Sequence, residues 1–152
     1  MGIEFDHSAS KRVKRRIEAI AHNVQNTDAL WTKVESILIR HEREQWISEG
    51  GHFGTPWEQL SGPYAAWKKR HAPNSTMVLT GELLKSFTGD GKYAIDEKTQ
   101  STFRFGSRAP VAHLHQYGSR EGQNPKRPLI RLPMKVRQEV IDAIRDHTVG
   151  RD

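Results

Sequence analysis

The sequence predicts an α+β protein, a small antiparallel β-sheet packed by an N-terminal helical hairpin and a C-terminal helix. Three observations carry that class. Apolar residues recur every three or four positions in two stretches near the start and one near the end, which is helical spacing. Around residues 93–105 the pattern changes. Phe103-Arg104-Phe105 alternates as a half-buried strand does, and Tyr93-Ala94-Ile95 stands across a polar turn from it. Gly and Pro clusters punctuate the joints between these stretches. At 152 residues the chain suits one domain, 1–152, large enough to bury a sizeable core.

Gly2–Asp6 reads as a short first strand, with Ile3 and Phe5 alternating against polar neighbours. Ser8 or Ser10 caps the helix that follows, in which Val13, Ile17, Ile20 and Val24 share one face. Asn26-Thr27-Asp28 breaks that pattern and opens a second helix, Asp28 to Ser48. Its stripe is Leu30, Val34, Ile37, Leu38 and His41, extended by Trp46 and Ile47, and Gly50-Gly51 stops it. So short a turn makes the two helices an antiparallel hairpin. A long aromatic loop, residues 50–76, interleaves Phe53, Trp57, Tyr64 and Trp67 with Gly, Pro and the run Lys68-Lys69-Arg70-His71. Pro63 opens a short helix within it.

Thr80 caps another short helix carrying Leu83, Leu84 and Phe87. Gly89-Asp90-Gly91 then turns the chain into the two strands, which join around Asp96-Glu97-Lys98-Thr99. A small apolar segment (Val111, Ala112, Leu114) ends on His115-Gln116-Tyr117-Gly118. Pro133 fits the first position of a last helix built on Val136, Val140, Ile141 and Ile144, which frays from His147 onward.

Composition narrows the chemistry. Hydrophobic residues make up 35% of the chain and its mean hydropathy is -0.75, so much of the surface is polar or the chain belongs to an assembly. The absence of cysteine excludes disulfides, thiolate zinc sites and a cysteine nucleophile, and is compatible with a reducing cytoplasm. No apolar core of signal-peptide length opens the chain and no run of apolar residues is long enough to span a bilayer. Neither secretion nor a membrane contact is expected.

Eight histidines raise the question of a metal. His113 and His115 share a face on a strand but not on a helix, and no third ligand stands at a convincing spacing. His41-Glu42-Arg43-Glu44-Gln45 misses the zinc-protease pattern because Gln45 stands where the second histidine belongs. Asp90, Asp96 and Glu97 read as turn acids rather than catalytic carboxylates. There is no G-x-S-x-G, phosphate loop or dinucleotide fingerprint. The sequence therefore predicts no metal site, no cofactor and no catalytic residue.

The formal charge is +6, from 24 basic against 18 acidic residues, which favours polyanionic or acidic neighbours. Lys11, Arg12, Lys14, Arg15 and Arg16 crowd the start of the first helix, where positive charge opposes the helix dipole. Either they form a solvated face or they meet a partner. Aromatics beside Lys68–Arg70 suit stacking on single-stranded bases, but an aromatic loop ordered on a core or a neighbouring subunit is the stronger reading.

The order Phe53, Trp57, Leu60, Tyr64, Lys68, then Leu79-Thr80-Gly81-Glu82-Leu83 leading to Ser86, resembles the phage virion-morphogenesis family, the tail-completion and neck proteins of tailed bacteriophages. The resemblance continues through the Phe103–Ser107 strand, Pro110-Val111-Ala112, His115-Gln116-Tyr117-Gly118 and Arg127-Pro128-Leu129-Ile130. It covers roughly Phe53 to Ile144. Val111 departs from it, since a tyrosine before the alanine is more usual. The resemblance implies the same α+β fold and a structural role, with copies forming a ring, hexameric in expectation, at the head–tail junction around the DNA channel. Its partners would be further copies, the adjoining head-closure or connector and tail-tube proteins, and non-specifically the DNA.

Within that frame Trp57, Tyr64, Tyr117, Arg127 and the Glu121–Lys126 loop are the expected subunit contacts, and the five cations of the first helix face a protein partner or DNA. A stand-alone basic nucleic-acid-binding module is the alternative.

Overall fold

The computed structural model describes residues 7–73, 75–120 and 123–150; the strand expected at Gly2–Asp6 lies outside them. The elements run α1 (His7–Gln25), α2 (Asp28–Ile47), a 3-10 turn (Gly51–Phe53), α3 (Gly62–His71), α4 (Glu82–Phe87), β1 (Ala94–Lys98), β2 (Phe103–Ser107), α5 (Pro110–Tyr117) and α6 (Met134–Val149). The class is α+β, with helices at both ends of a two-stranded antiparallel sheet.

α2 is the axis around which the rest packs. On its first half Leu30 and Val34 bury against Ala143 of α6, with Trp31, Leu38, Phe103 and Val140 around them. At its far end Trp46 joins Trp57, Phe87 and Leu129 in a second cluster flanked by Met77, Leu84 and Ile130. The two indoles meet edge to face, centroids 5.2 Å apart at 82°, the arrangement that ring quadrupoles favour. Each Leu or Phe fully buried here contributes about 1.5–3 kcal/mol. Ile47 does not extend the stripe. One residue past Trp46 lies about 100° round the helix, and Ile47 is 83% exposed.

Most of the apolar face of α1 is uncovered: Val13, Ile17 and Val24 are 59%, 61% and 51% exposed, while Ile20 is half-buried. The short Asn26-Thr27 link leaves α1 packed mainly on α6, rather than along α2 as a hairpin would have it. A ring nitrogen of His147 lies 2.9 Å from the Asn23 carbonyl oxygen, and Asn23 Nδ2 donates to the Thr148 carbonyl at 3.5 Å. These ties are why α6 stays helical to Val149, past the point where fraying was expected. Ser8 and Ser10 both fall inside α1, which starts at His7.

β1 is longer than its apolar residues suggested and is shifted toward the turn. It pairs from Ala94 opposite Ser107 to Lys98 opposite Phe103. Asp96 and Glu97 are therefore strand residues, not turn acids. Charge pairing makes this possible: Lys98 Nζ reaches Glu35 at 2.6 Å and Asp96 at 3.1 Å, while Glu97 holds Arg104 opposite it at 2.8 Å and also pairs with Arg108. The turn proper is closed by Thr99 N donating to the Thr102 carbonyl at 2.8 Å. The caps of α4 and α6 are Gly81 and Pro133, each one residue from its expected place.

Candidate assembly surface

The long stretch after α2 is shaped by hydrogen bonds to main-chain atoms far away in sequence. At Gly50 (φ +94°) the chain doubles back so tightly that an added Cβ would lie 2.5 Å from the Thr55 carbonyl oxygen and 2.6 Å from Trp57 Cδ1. Trp57 N donates to the Glu49 carbonyl at 2.7 Å, and Trp57 Nε1 to that of Pro128 at 2.9 Å. Gln45, wholly buried, donates to the same Pro128 oxygen at 3.1 Å and accepts from Phe53 N at 2.9 Å. The residue that spoils the protease pattern is thus a structural amide, with both ends used to fold the loop onto α2.

Gln116 does the same on the other side, accepting from Leu129 N and Ile130 N at 2.8 and 3.1 Å and donating to the Ile130 carbonyl at 3.1 Å. Arg127 completes the set. Its Nε donates to the Glu58 carbonyl at 2.7 Å and its terminal nitrogen to that of Gln59 at 3.1 Å. Lys68 closes the end of α3, donating to the carbonyls of Ala72 and Ser75 at 3.2 and 2.7 Å.

Two residues expected at subunit contacts are therefore inside. Trp57 is 3% and Arg127 5% exposed; the indole is core, and the guanidinium is consumed by its own loop. The aromatic pattern pointed outward only because Pro128 and the Glu58 carbonyl, about 70 residues from their donors, leave no trace in local sequence.

Tyr64 and Tyr117 are at the surface, 42% and 62% exposed. Tyr64 heads a stacked ladder along α3: its ring lies 5.6 Å from Trp67 at 14°, and Trp67 lies 4.8 Å from His71 at 17°. Of these three only Tyr64 was expected at a subunit contact, although spacings of three and four place Tyr64, Trp67 and His71 on one helical face. Tyr117 packs its ring on His113, 4.9 Å away. Of the Glu121–Lys126 loop, residues 123–126 are described. Ser119 N donates to the Asn124 carbonyl at 3.0 Å, and Gly118 (φ +78°) approaches that oxygen closely.

Between these parts lies an open groove of about 1020 Å³, lined among others by Leu60, Tyr64, Leu79, Leu83, Val111 and His115. Burial, and secondarily the nearby Arg127 charge, hold the His115 imidazole below its usual pKa. The groove's lining is mostly apolar, with Glu58 and Glu82 as acids and Lys68 and Arg127 as bases. Lys11, Arg12, Lys14, Arg15 and Arg16 are all exposed along α1, as are Val13 and Ile17.

A family model described as the phage virion morphogenesis family matches residues 9–148. The chain belongs to that family. No curated protein and no solved structure matches it. The matched span runs from α1 through α6, so the basic helix and the stapled loop both belong to the virion-morphogenesis unit. It is a bacteriophage protein with a role in virion morphogenesis.

Proposed function

We propose that this protein is a non-enzymatic structural subunit that forms a ring of its own copies at the head–tail junction, joining tail to capsid around the DNA channel. The observation that carries the reading is α1, a helix on which Val13, Ile17 and Val24 of the apolar stripe and all five cations are exposed in the single chain, with Ile20 half-buried. Such a helix gains most of its stability from covering its apolar face, and a second protein surface provides that cover. The ring ladder and the groove add further apolar surface of the kind that marks interaction sites. Family membership supports the structural role, and the adjoining head-closure or connector and tail-tube proteins are the natural neighbours for a ring in that place.

The cations on α1 suit docking on an acidic protein surface better than gripping DNA. Each phosphate contact adds affinity and salt dependence, and a channel that held phosphate tightly would impede DNA passage. The stacked Tyr64–Trp67 pair beside Lys69 and Arg70 favours a second reading, a stand-alone nucleic-acid-binding module.

Size-exclusion chromatography with light scattering, with and without DNA, separates the two. Concentration-dependent rings without DNA, located at the junction by electron microscopy of virions, support the first reading. A monomer that binds DNA with a steep salt dependence and is absent from the particle overturns it.

A further inference from the structure

Away from the groove, four side chains form a line across α2, the 3-10 turn and α6. His41 Nδ1 lies 2.8 Å from His52 Nε2, with the rings stacked at 5.0 Å. His52 Nδ1 lies 3.2 Å from Glu44 Oε2, and His41 Nε2 lies 3.2 Å from Glu139 Oε2. His41 and Glu44 are three residues apart on α2 and so share a face. His52 reaches them because the chain reverses at Gly50, with His52 N donating to Ser48 Oγ at 2.7 Å.

The line is one positive centre short. Its three contacts, Glu44–His52, His52–His41 and His41–Glu139, each need a hydrogen or a cation between two lone pairs. Two neutral imidazoles bring one N–H apiece. Arg40 pairs with Glu139 and lies 3.4 Å from His41 Nε2, too long for a strong donor there, and it does not touch the contact between the rings. A carboxylate behind the nitrogen opposite the ligating one is also how metal-bound imidazoles are held in orientation. Glu139 stands in that place behind His41.

We propose that His41, His52 and Glu44 form a binding site for a divalent transition-metal ion of the zinc type, with Glu139 orienting His41. One donor atom from each of the three lies within 4.8 Å of the others. Two imidazoles and a carboxylate are a nitrogen-and-oxygen set that zinc accepts, and a fourth position is left for water or a group from a neighbouring molecule. Metal–nitrogen bonds of about 2.0–2.1 Å in a tetrahedron set the nitrogens roughly 3.3 Å apart. Glu44 Oε2 lies 3.2 Å from His52 Nδ1 and 4.0 Å from His41 Nδ1, so the His52 ring, on the turn, must swing to present Nδ1 in place of Nε2 for all three donors to meet one ion. The ion clips the turn that starts the stapled loop onto α2 and α6. The site is structural, and it stands whether or not the ring reading holds.

The test is a calorimetric titration of zinc chloride into the untagged, chelator-treated full chain. One ion per chain is expected, with a rise in melting temperature. His52→Gln and Glu44→Gln, both on partly exposed side chains, should each abolish saturable uptake while the chain stays folded by circular dichroism. Glu139→Gln should weaken binding about 10–100-fold, and exchange of the exposed His71 for Gln should change nothing. Cobalt in place of zinc should give the visible absorption of a four-coordinate site, and His52→Gln should remove it. Uptake that is absent, or unaffected by both ligand variants, would overturn the proposal. So would a melting temperature that responds to pH but not to zinc, since a proton would then supply the missing charge.

Discussion

Arg127 spans two strands of irregular chain by donating from its Nε to the main-chain oxygen of Glu58, 2.7 Å away, and from its terminal nitrogen to that of Gln59. Neither acceptor is a carboxylate, so the guanidinium acts as a fork for two successive carbonyls. Lysine offers one point charge and cannot hold both at once. Arg127→Lys should cost about 1–3 kcal/mol, the range for a buried group losing a hydrogen bond. Urea unfolding measures the loss, and limited proteolysis should cut earlier within residues 54–61. Unchanged stability and cleavage would mean that the loop holds itself.

Trp57→Ala removes a ring that is 3% exposed and packed on Trp46, Phe87 and Leu129. Truncating an aromatic in such a place costs about 3–5 kcal/mol, and Pro128 loses one of its two donors as well. The isolated chain should therefore be strongly destabilised in urea, before any question of assembly arises. A variant as stable as the parent would place the indole outside the core.

Gly50→Ala meets two obstacles together. The residue sits at φ +94°, where a side chain costs about 1–3 kcal/mol. Its Cβ would also lie 2.7 Å from Trp57 N, within the contact that brings the loop back to α2. The chain should lose at least the backbone cost in stability, whereas Gly54→Ala, with nothing near its Cβ, should lose only the conformational part. Equal effects at the two positions would show that the close approach is unimportant.

What could be read in advance and what could not divides along range. α2 begins at Asp28 as its cap and stripe foretold, and Leu30 and Val34 are core, because a 3.6-residue period is local information. The same period marked Val13 and Ile17 as one face but could not say what covers it. Ala143 took the buried place on α6, while Ile141 and Ile144 stayed 47% and 39% exposed. Trp57, Arg127 and His52 were misjudged or missed for a shared reason: their partners are reached through the reversal at Gly50 and the Arg127–Ile130 segment. No short-range pattern encodes either meeting.

Burial alone pushes the Glu42 carboxyl up to about 9, and its Oε2 has no hydrogen-bond partner. In the folded chain the group keeps its proton until about pH 9, whereas the unfolded chain releases it near 4.5. A raised acid pKa means that stability is greatest below the lower value and falls as pH rises between the two, by up to about 1.4 kcal/mol per pH unit. Glu42→Gln is neutral throughout and escapes this loss. In chelator-containing buffer its stability advantage over the parent should grow from pH 5 to pH 8. Parallel curves would mean that Glu42 is solvated in the fold.

The basic start of α1 gives the sharpest separation of folding from assembly. Arg12 and Arg15 are exposed, and exposed substitutions away from special features change stability by about 0.5 kcal/mol or less. Reversing both to Glu also replaces positive charge in the first half of a helix with negative charge, which the dipole favours to a small degree. The isolated double variant should therefore melt where the parent does. If α1 docks on an acidic protein neighbour, the same change turns attraction into repulsion, and attachment in a complementation assay should fall with free tails or heads accumulating. If the cations instead face passing DNA, particles should assemble normally and differ only in ejection. Normal particle yield, or an assembled junction with these side chains in the channel beside DNA and away from protein, would reject docking on a neighbour.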